Sequence, residues 1–483
     1  MSTELEEMFT ALARQADAIT LGGAEQARDR GRQRRNRQRA VLASAAAVIL
    51  LLTGAGVVSA RLHRKADPIL AATTPARIRG LAQLGDPVAP LFGETWKAAR
   101  IAGNRVFGLS RGQAIAIDTR TGQRLWTLPG LDDTYLGLVA TAKMVLLVRR
   151  EASQPDDIKA GERRVLQAYD AVTGRSSWLL TYTTDDRLVL HEDVLVQLTA
   201  TDHRITAHAL DSGKTLWSAS GGATVISGMR VAADNSEDHY GVSSALYSPE
   251  SEKAFPYTDD RLVSITAAGQ VVIRDIRTGK IRSTAQSRPN PEQLLGYEGT
   301  IYTEDSGEDG RILGTPGRRL YTPHDPWYWN DFFPCGPQRL CLYEYRDLDG
   351  TTERQEAHLV MMDAATGQVL RSTAAVPLIG DHGVRLGHVM TSAGGDKGTA
   401  LYDENGQARY ADNGIGGFAD DGNALTLTRD AGDGQFTVRG VSNIDFRKVT
   451  LGVIPELSGR CDWNDDLLTC PTGKGLYTWR LTR

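Results

Sequence analysis

The chain contains little cysteine and histidine, and their placement argues against several kinds of site. Its 483 residues include four cysteines and nine histidines. No two cysteines are adjacent, and no two histidines have the spacing of metal ligands on a helix. Long helical periodicity is absent after residue 65, which argues against a helical solenoid.

The cysteines form two close pairs. Cys335 and Cys341 flank a Gly-Pro turn, and Cys461 and Cys470 flank an Asn-Asp-Asp turn. Each pair suits a hairpin stapled across adjacent strands, so we predict disulfides 335–341 and 461–470, each contributing about 2–3 kcal/mol in the chain-entropy model. A zinc site of four cysteines is the alternative, but the spacings differ from those of zinc motifs and no histidine is nearby.

One apolar run predicts a membrane span. Ala40–Ala60 has 21 residues without a charge, and as a helix it is roughly 31 Å long, about the thickness of a hydrocarbon core. Seven arginines lie within residues 28–39, whereas only Arg61, Arg64 and Lys65 follow closely. The positive-inside rule then places residues 1–39 in the cytoplasm and the remainder outside, in agreement with the predicted disulfides.

Alternative interpretations of the N-terminus remain open. Val58-Ser59-Ala60 resembles a signal-peptide cleavage site, although the leader and the apolar run are both long for one. No cysteine follows the run, so no lipoprotein anchor is expected. The arginine cluster suits a topology signal that touches anionic lipid better than a nucleic-acid patch. Residues 3–18 form a plausible amphipathic helix, either simply solvated or a docking helix for a cytoplasmic partner.

Charge differs between the two parts of the chain. Residues 1–65 carry 11 Lys+Arg and 6 Asp+Glu, and the remaining residues carry 44 and 53. A mildly acidic outer part is expected to be soluble and not to bind nucleic acid. Basic residues are mostly arginine, and alanine and glycine are abundant, which is typical of a high-GC bacterium such as an actinobacterium.

A short phrase recurs after residue 110. Three copies share an Asp, a Gly and a Trp, and three later copies lack the Trp. The copies with Trp have Asp118, Gly122 and Trp126, then Asp170, Gly174 and Trp178, then Asp211, Gly213 and Trp217. The copies without it have Asp275 and Gly279, Asp363 and Gly367, and Asp403 and Gly406. Strand-like residues precede each Asp, the Asp starts a turn, and the Gly supplies a positive φ. Each copy is therefore predicted to be a β-hairpin whose Trp, where present, covers the neighbouring unit.

The spacing of the copies favours radial blades. Successive Asp residues lie 52, 41, 64, 88 and 40 positions apart, and the longest gap accommodates a degenerate copy near Gly310–Tyr321. Gln435–Thr450 resembles a further copy. We predict eight blades, with seven as the alternative. The last strand, Gly475–Leu481, is expected to close the ring by pairing with a strand near Ala76–Leu81.

These phrases resemble the repeats of quinoprotein-type, PQQ-like β-propellers of the BamB-like superfamily, over roughly residues 90–480. The resemblance implies an all-β propeller. Together with the predicted span, the chain then divides into a tail (1–39), a transmembrane helix (40–60), a linker with the ring-closing strand (61–89) and a propeller (90–483). Quinoprotein dehydrogenases of this fold hold pyrroloquinoline quinone and calcium. This chain is shorter and has no vicinal cysteine pair, so no catalytic residue carries over and no cofactor is expected.

Other motifs suggest chemistry only weakly. Gly108–Gly112 has the Gly-x-Ser-x-Gly pattern, but strands precede and follow it at once, which predicts a hairpin and not a nucleophile elbow. Asp305–Gly310 and Asp347–Gly350 resemble calcium loops without the Glu of an EF-hand. Asp381 and His382 form the one local His–carboxylate pair in a turn, with no third partner visible.

These features predict a non-enzymatic binding or scaffold protein of a bacterial cell envelope, with a membrane anchor and an envelope protein as partner. The candidate partner surface is Trp327 and Trp329, beside acidic loops; packing between blades is the alternative role for both. A sensor that couples an outside ligand to a cytoplasmic partner is the second hypothesis, and a quinoprotein oxidoreductase is the third. The oligomeric state and any calcium site remain open.

Overall fold

The structure is a computed structural model that describes most of the chain after Thr74: residues 75–91, 94–132, 134–151, 161–230, 259–287, 291, 294–305, 311–314, 318–323, 327–346, 356–375, 381–392, 398–430, 432 and 434–483. The predicted tail and the predicted span at Ala40–Ala60 lie outside the described residues, as do residues 61–74 of the linker and residues 306–310 and 347–350 of the segments that resemble calcium loops. Among the described residues, no helix is long and apolar enough to cross a bilayer. The proposed domain boundaries stay predictions.

The described residues form an all-β structure of antiparallel four-stranded units. The first four units have these strands: β2 Trp96–Ala102, β3 Arg105–Ser110, β4 Gln113–Asp118, β5 Arg124–Pro129; β6 Tyr135–Ala140, β7 Met144–Arg150, β8 Arg163–Asp170, β9 Ser176–Thr183; β10 Arg187–Leu190, β11 Val194–Leu198, β12 Arg204–Ala209, β13 Thr215–Ser220; β14 Ala223–Arg230, β15 Arg261–Thr266, β16 Gln270–Asp275, β17 Ile281–Gln286.

The remaining five units follow the same plan, and the last takes its outer strand from the start of the described chain. Their strands are β18 Leu294–Tyr297, β19 Thr300–Asp305, β20 Arg311–Gly314, β21 Arg318–Tyr321; β22 Tyr328–Pro334, β23 Arg339–Arg346, β24 Glu356–Asp363, β25 Val369–Ala374; β26 Asp381–Arg385, β27 His388–Ser392, β28 Thr399–Tyr402, β29 Ala408–Asp412; β30 Ile415–Phe418, β31 Asn423–Arg429, β32 Phe436–Ser442, β33 Lys448–Ile454; β34 Asp462–Trp463, β35 Leu467–Thr472, β36 Gly475–Thr482 and β1 Gly80–Gln83.

The strands of one unit differ in burial according to their position. Inner and middle strands are apolar and buried on both faces, as in β11, whereas the fourth strand is largely exposed, and β17 is exposed along its whole length. Buried side chains of one unit pack against those of the next: Phe107 and Leu109 share a core with Leu138 and Leu147. A single unit leaves apolar faces uncovered, so stacking of units supplies the core.

The two ends of the chain meet in the ninth unit. β1 pairs antiparallel with β36, with Leu81 opposite Leu481, which confirms the predicted pairing of the last strand. The ninth unit also contacts the first, because the backbone N–H of Ile101 donates to Asp462 Oδ2 at 2.6 Å. The hairpins predicted near Gly310–Tyr321 and within Gln435–Thr450 are present as β20–β21 and β32–β33.

The predicted number of blades is not confirmed. The described strands form seven four-stranded sheets and one eight-stranded sheet. In the eight-stranded sheet, the fourth and fifth units are joined by parallel pairing of β14 with β18, with Met229 opposite Gly296. When the fourth and fifth units are counted separately, the described strands form nine four-stranded units.

Each unit has two ends that differ in their connections. Because the strands alternate in direction, the turns between strands one and two and between strands three and four lie at one end, here called the turn end. The turns between strands two and three, and the connections between units, lie at the other, here called the connection end. The recurring Asp-Gly phrase is at the turn end.

Candidate partner surface

The recurring Asp side chains hold the turns of the turn end. Asp118 Oδ1 accepts hydrogen bonds from the backbone N–H groups of Arg120 (2.8 Å) and Thr121 (3.0 Å) and from the Thr121 hydroxyl. Asp170, Asp275 and Asp363 repeat this arrangement. Hydrogen bonds to the ionised carboxylate lower its pKa, mainly from the Thr121 backbone at Asp118, and from the Arg282 side chain at Asp275, whose pKa falls to about 2.

The three tryptophans of the phrase dock each unit onto the next. Trp126 Nε1 donates to the Ala171 carbonyl (3.1 Å), Trp178 Nε1 to that of Leu210 (2.7 Å), and Trp217 Nε1 to that of Ile276 (2.8 Å). Each indole lies over the glycine of the neighbouring turn: Cβ atoms on Gly174, Gly213 and Gly279 would come within 2.8 Å of it. The glycine therefore gives both the positive φ and the space for the ring.

Asp211 belongs to the shortest copy of the phrase and differs from the other turns. In this copy the carbonyl of the Asp itself also accepts a hydrogen bond from the preceding unit: Ser177 Oγ donates to the Asp211 carbonyl at 2.8 Å. Gly122, in the first copy, lies beside Leu84 and Gly85 of the chain leaving β1, so a backbone segment replaces an indole at the closing seam.

Arginines take over the docking role later in the chain. Arg371 occupies the position of the Trp, four residues after Gly367, and its Nε donates to the Asn405 carbonyl of the next unit at 2.7 Å. Arg318 Nη1 donates to the Ala365 carbonyl at 3.3 Å. These residues were not predicted from the sequence. Arg371 could have been identified from its spacing, because it follows Gly367 by four positions, as each tryptophan follows the glycine of its own turn.

Both predicted disulfides are present. Cys335–Cys341 has a Cα–Cα distance of 5.6 Å and Cys461–Cys470 one of 4.2 Å, and all four cysteines are buried. The turn closed by Cys335–Cys341 touches the units on both sides: Tyr297 donates its hydroxyl to the Gly336 carbonyl (2.5 Å), and Arg339 donates to the Glu404 carbonyl. The disulfide thus fixes a turn that contacts two neighbours.

Trp327 lies at the connection end of the sixth unit, beside a histidine and an arginine. Its ring stacks on His358, with centroids 4.6 Å apart, and the Arg346 guanidinium carbon is 5.3 Å from the indole centroid. Arg346 Nε is held by Glu356 Oε2 at 2.6 Å. The pKa of Glu356 is lowered, mainly by the hydrogen bond from Arg346. We call Trp327, Arg346, Glu356 and His358 the aromatic patch.

Unequal strand lengths leave the aromatic patch partly open. The patch lies on the face of the sixth unit that turns toward the fifth, where Tyr321 donates its hydroxyl to Glu344. The fifth unit has short outer strands, Arg311–Gly314 and Arg318–Tyr321, whereas β23 and β24 have eight residues each. Among the residues that the structure describes, the side chains of the patch are half-buried. The backbone of Trp329 pairs with Glu344, and its side chain is outside the described part.

A cleft lies at the turn end, between the seventh, eighth and ninth units. Its volume is about 680 Å³, and its lining includes Pro75, Phe418 and Trp463 with six charged residues: Arg385, Asp420, Asp421, Asp465, Asp466 and Arg483. Arg385 Nε pairs with Asp421 Oδ1 (2.9 Å), and Arg483 Nη2 pairs with Asp420 Oδ2 (2.6 Å). The lining thus combines apolar side chains with four aspartates and two arginines.

The Gly-x-Ser-x-Gly motif and the Asp-His pair place their Ser and His side chains in the buried interior. Ser110 is buried in the hairpin of β3 and β4, and its hydroxyl donates to the Gln113 carbonyl at 3.3 Å. His382 is buried and stacks on Phe333, with ring centroids 3.6 Å apart. Among the residues that the structure describes, no group of three or more His, Cys, Asp or Glu side chains is arranged to hold a metal ion.

Comparison with known proteins bears on the fold. Residues 110–293 match the family described as outer membrane protein assembly factor BamB. No curated protein matches the chain significantly in sequence.

Three solved structures are similar to this chain. BamB from Moraxella catarrhalis has 12% identity and a TM-score of 0.43 over 83% of this chain and 100% of that one. The computationally designed Ika8 protein has 14% identity and a TM-score of 0.43 over 84% and 100%. A eukaryotic initiation factor has 9% identity and a TM-score of 0.50 over 85% and 99%. At 9% identity, the likeness to the initiation factor concerns the fold alone. Together with the docking geometry, the family match identifies the repeats within residues 110–293 as PQQ-like β-propeller repeats.

Proposed function

We propose that this chain is a non-enzymatic binding or scaffold protein of a bacterial cell envelope. In this proposal, Ala40–Ala60 spans the membrane, residues 1–39 lie in the cytoplasm, and the propeller lies outside. Two buried disulfides support an oxidising compartment for the propeller. The family match to an assembly factor supports a role in holding a partner protein.

The observation that carries the proposal is the aromatic patch. Trp126, Trp178 and Trp217 serve the seams between units, whereas Trp327 is half-exposed and stacks on His358 of its own unit. Partly exposed Trp and Arg side chains are enriched in binding hot spots. Arg346 is already oriented by Glu356, so the binding of a partner costs little further side-chain entropy at this position.

Crosslinking and pull-down from native membranes test the proposal. The full-length protein is compared with Trp327→Ala and with Leu179→Ala, a matched control that shortens an apolar side chain with 63% exposure on an outer strand. We expect an envelope protein to be captured by the wild type and by Leu179→Ala, and to be lost with Trp327→Ala at unchanged melting temperature. A large fall in melting temperature with Trp327→Ala assigns Trp327 to packing and removes the observation on which the proposal depends.

A variant lacking residues 2–25 separates the scaffold from a transmembrane sensor. Retention of the same envelope partner by this variant supports the scaffold. Cytoplasmic partners that disappear with the tail support the sensor instead.

Addition of pyrroloquinoline quinone and calcium tests the enzymatic alternative. We expect neither binding of the quinone nor reduction of an electron-accepting dye. Either signal would replace the scaffold by a quinoprotein oxidoreductase.

A further inference from the structure

The described chain begins at the turn end, next to the eighth unit. Pro75 lines the cleft, and Arg77 Nη2 pairs with Asp445 Oδ2 at 2.5 Å. One residue further on, the backbone N–H of Ile78 donates to Asn423 Oδ1 at 3.1 Å. These contacts attach the start of the described chain to two turns of the eighth unit: Arg77 binds the turn between β32 and β33, and Ile78 binds the residue that follows the turn between β30 and β31.

Exposed aliphatic and basic side chains surround this attachment point. Ile444, next to Asp445, is 64% exposed, and Leu386, in the adjacent turn of the seventh unit, is 42% exposed. The Arg447 side chain is 78% exposed, and Lys448 is exposed beside it. His388 and Phe446, with ring centroids 5.9 Å apart, link the two turns. We call Leu386, Ile444, Arg447 and Lys448 the turn-tip patch.

Backbone N–H groups at the tip of this turn have side-chain hydrogen-bond acceptors within the turn itself. Ser442 Oγ accepts hydrogen bonds from the N–H groups of Ile444 (3.2 Å) and Asp445 (3.4 Å), and Asp445 Oδ1 accepts one from Arg447 (3.3 Å). Polar backbone groups without partners are what normally keeps a turn out of a medium of low dielectric constant. This tip therefore avoids most of that penalty.

The connection to the predicted span is short. Residues 61–74, fourteen in number, separate Ala60 from Pro75, and a fully extended segment of that length reaches at most about 50 Å. The described chain begins at the turn end, and Arg77 contacts Asp445 directly, so the turn-tip patch adjoins the point of attachment.

We propose that the turn-tip patch lies in the interfacial layer of the lipid bilayer, so that the turn end faces the membrane and the aromatic patch faces away. This inference depends on the proposed membrane span. Ile444 and Leu386 bury their side chains at the boundary of the acyl chains, while Arg447 and Lys448 extend their apolar stems and place their charges among lipid phosphates.

Acidic residues set the limit of this contact. Asp465 and Asp466 lie on the side of the cleft that the ninth unit forms, where their carboxylates oppose anionic lipid. The contact is therefore confined to the turns of the seventh and eighth units and does not extend over the whole turn end.

Fluorescence quenching by lipid measures the position of the patch directly. The four native cysteines are paired in disulfides, so a single new thiol takes a bimane label selectively. Full-length Ile444→Cys is compared with Ala268→Cys, an exposed site in the turn between β15 and β16 at the connection end. Lys448→Cys is a second reporter in the patch. Each labelled protein is placed in nanodiscs of phosphatidylcholine and phosphatidylglycerol, with or without brominated acyl chains.

We expect brominated lipid to reduce fluorescence at position 444, to reduce it less at position 448, and to leave it unchanged at position 268. Incorporation of the full chain into nanodiscs without quenching at 444 and 448 would overturn this inference and leave the span intact. Failure of the full chain to enter nanodiscs would overturn the proposed span as well. Equal quenching at 268 would show that the propeller has no fixed face toward the membrane.

Discussion

Early and late seams of the ring are built from the same turn but from different docking groups. The seams after the first three units are closed by the indoles of Trp126, Trp178 and Trp217, each over a glycine. The seam after the sixth unit is closed by the guanidinium of Arg371, and both disulfides belong to the late units. The glycine that the turn requires is kept in both parts, whereas the side chain that covers it is exchanged.

The difference teaches which feature of the repeat is indispensable. The turn needs Asp and Gly for its backbone conformation, and no neighbour can supply that conformation. The seam needs only a group that covers the next turn and donates to its carbonyl, which an indole or a guanidinium provides. The family match ends at residue 293, close to where the Trp-docked units end.

Removal of one indole is expected to have the largest effect. Trp178→Ala removes a half-buried ring and its hydrogen bond to Leu210, and we expect about 3 kcal/mol of lost unfolding free energy, at the low end for buried aromatic residues. The same truncation at Arg371 removes one exposed hydrogen bond and should lower the unfolding free energy by about 1 kcal/mol. Urea unfolding of both variants measures the difference. Equal losses would show that the two kinds of seam are energetically equivalent.

Opening a disulfide should rank second. The double variant Cys461→Ala with Cys470→Ala frees a small loop in the ninth unit, and the chain-entropy model gives a loss of about 2.5 kcal/mol. The melting temperature without reductant reports this loss. As a control, dithiothreitol under conditions that reduce this disulfide should lower the melting temperature of the wild type and affect the variant less. An unchanged melting temperature in the double variant would contradict the stapling role.

Adding one methyl group to the turn glycines sharpens the comparison between seams. Gly213 has φ +66° and its added Cβ would lie 2.6 Å from Trp178, whereas Gly406 has φ +71° and the nearest atom, Arg371 Cγ, would be 3.4 Å away. Gly406→Ala should cost about 1 kcal/mol for the left-handed conformation alone. Gly213→Ala adds the displacement of a docked ring, and we expect about 2–3 kcal/mol. Similar losses of unfolding free energy for the two variants, measured with urea, would mean that displacing the indole costs no more than displacing the arginine.

The smallest expected effect concerns pH. The pKa of Asp275 is about 2 in the folded protein, mainly because Arg282 donates to it, against about 3.9 for an unperturbed Asp. A lowered folded-state pKa means that this contribution is complete above the unfolded value and is lost as pH falls from about 5 toward 2. Asp275→Asn should therefore reduce stability at pH 7 and flatten the acid limb of melting temperature against pH. An acid limb as steep as that of the wild type would contradict the assignment.

The predictable part of the fold is the part with local causes. A turn that begins with Asp118 and ends with Gly122 depends on five consecutive residues, and the Cys461–Cys470 pair encloses one hairpin, so both follow from short stretches of sequence. The pairing of Leu81 with Leu481 joins distant residues, and it was still predictable because the final strand lacked a partner within its own phrase. Grouping the strands into nine four-stranded units was not predicted, because the fifth unit has short strands and a weak phrase.

The sequence by itself determined the repeated hairpins, the two disulfides and the closure of the last sheet, since each depends on backbone conformation or on residues that identify their own partners. Tertiary structure alone decided that Arg371 replaces an indole, that Trp327 rests on His358 in a notch left by a shorter neighbour, and that three turns enclose a cleft. These features depend on which side chains from separate units meet, and that is set by the lengths and positions of neighbouring strands.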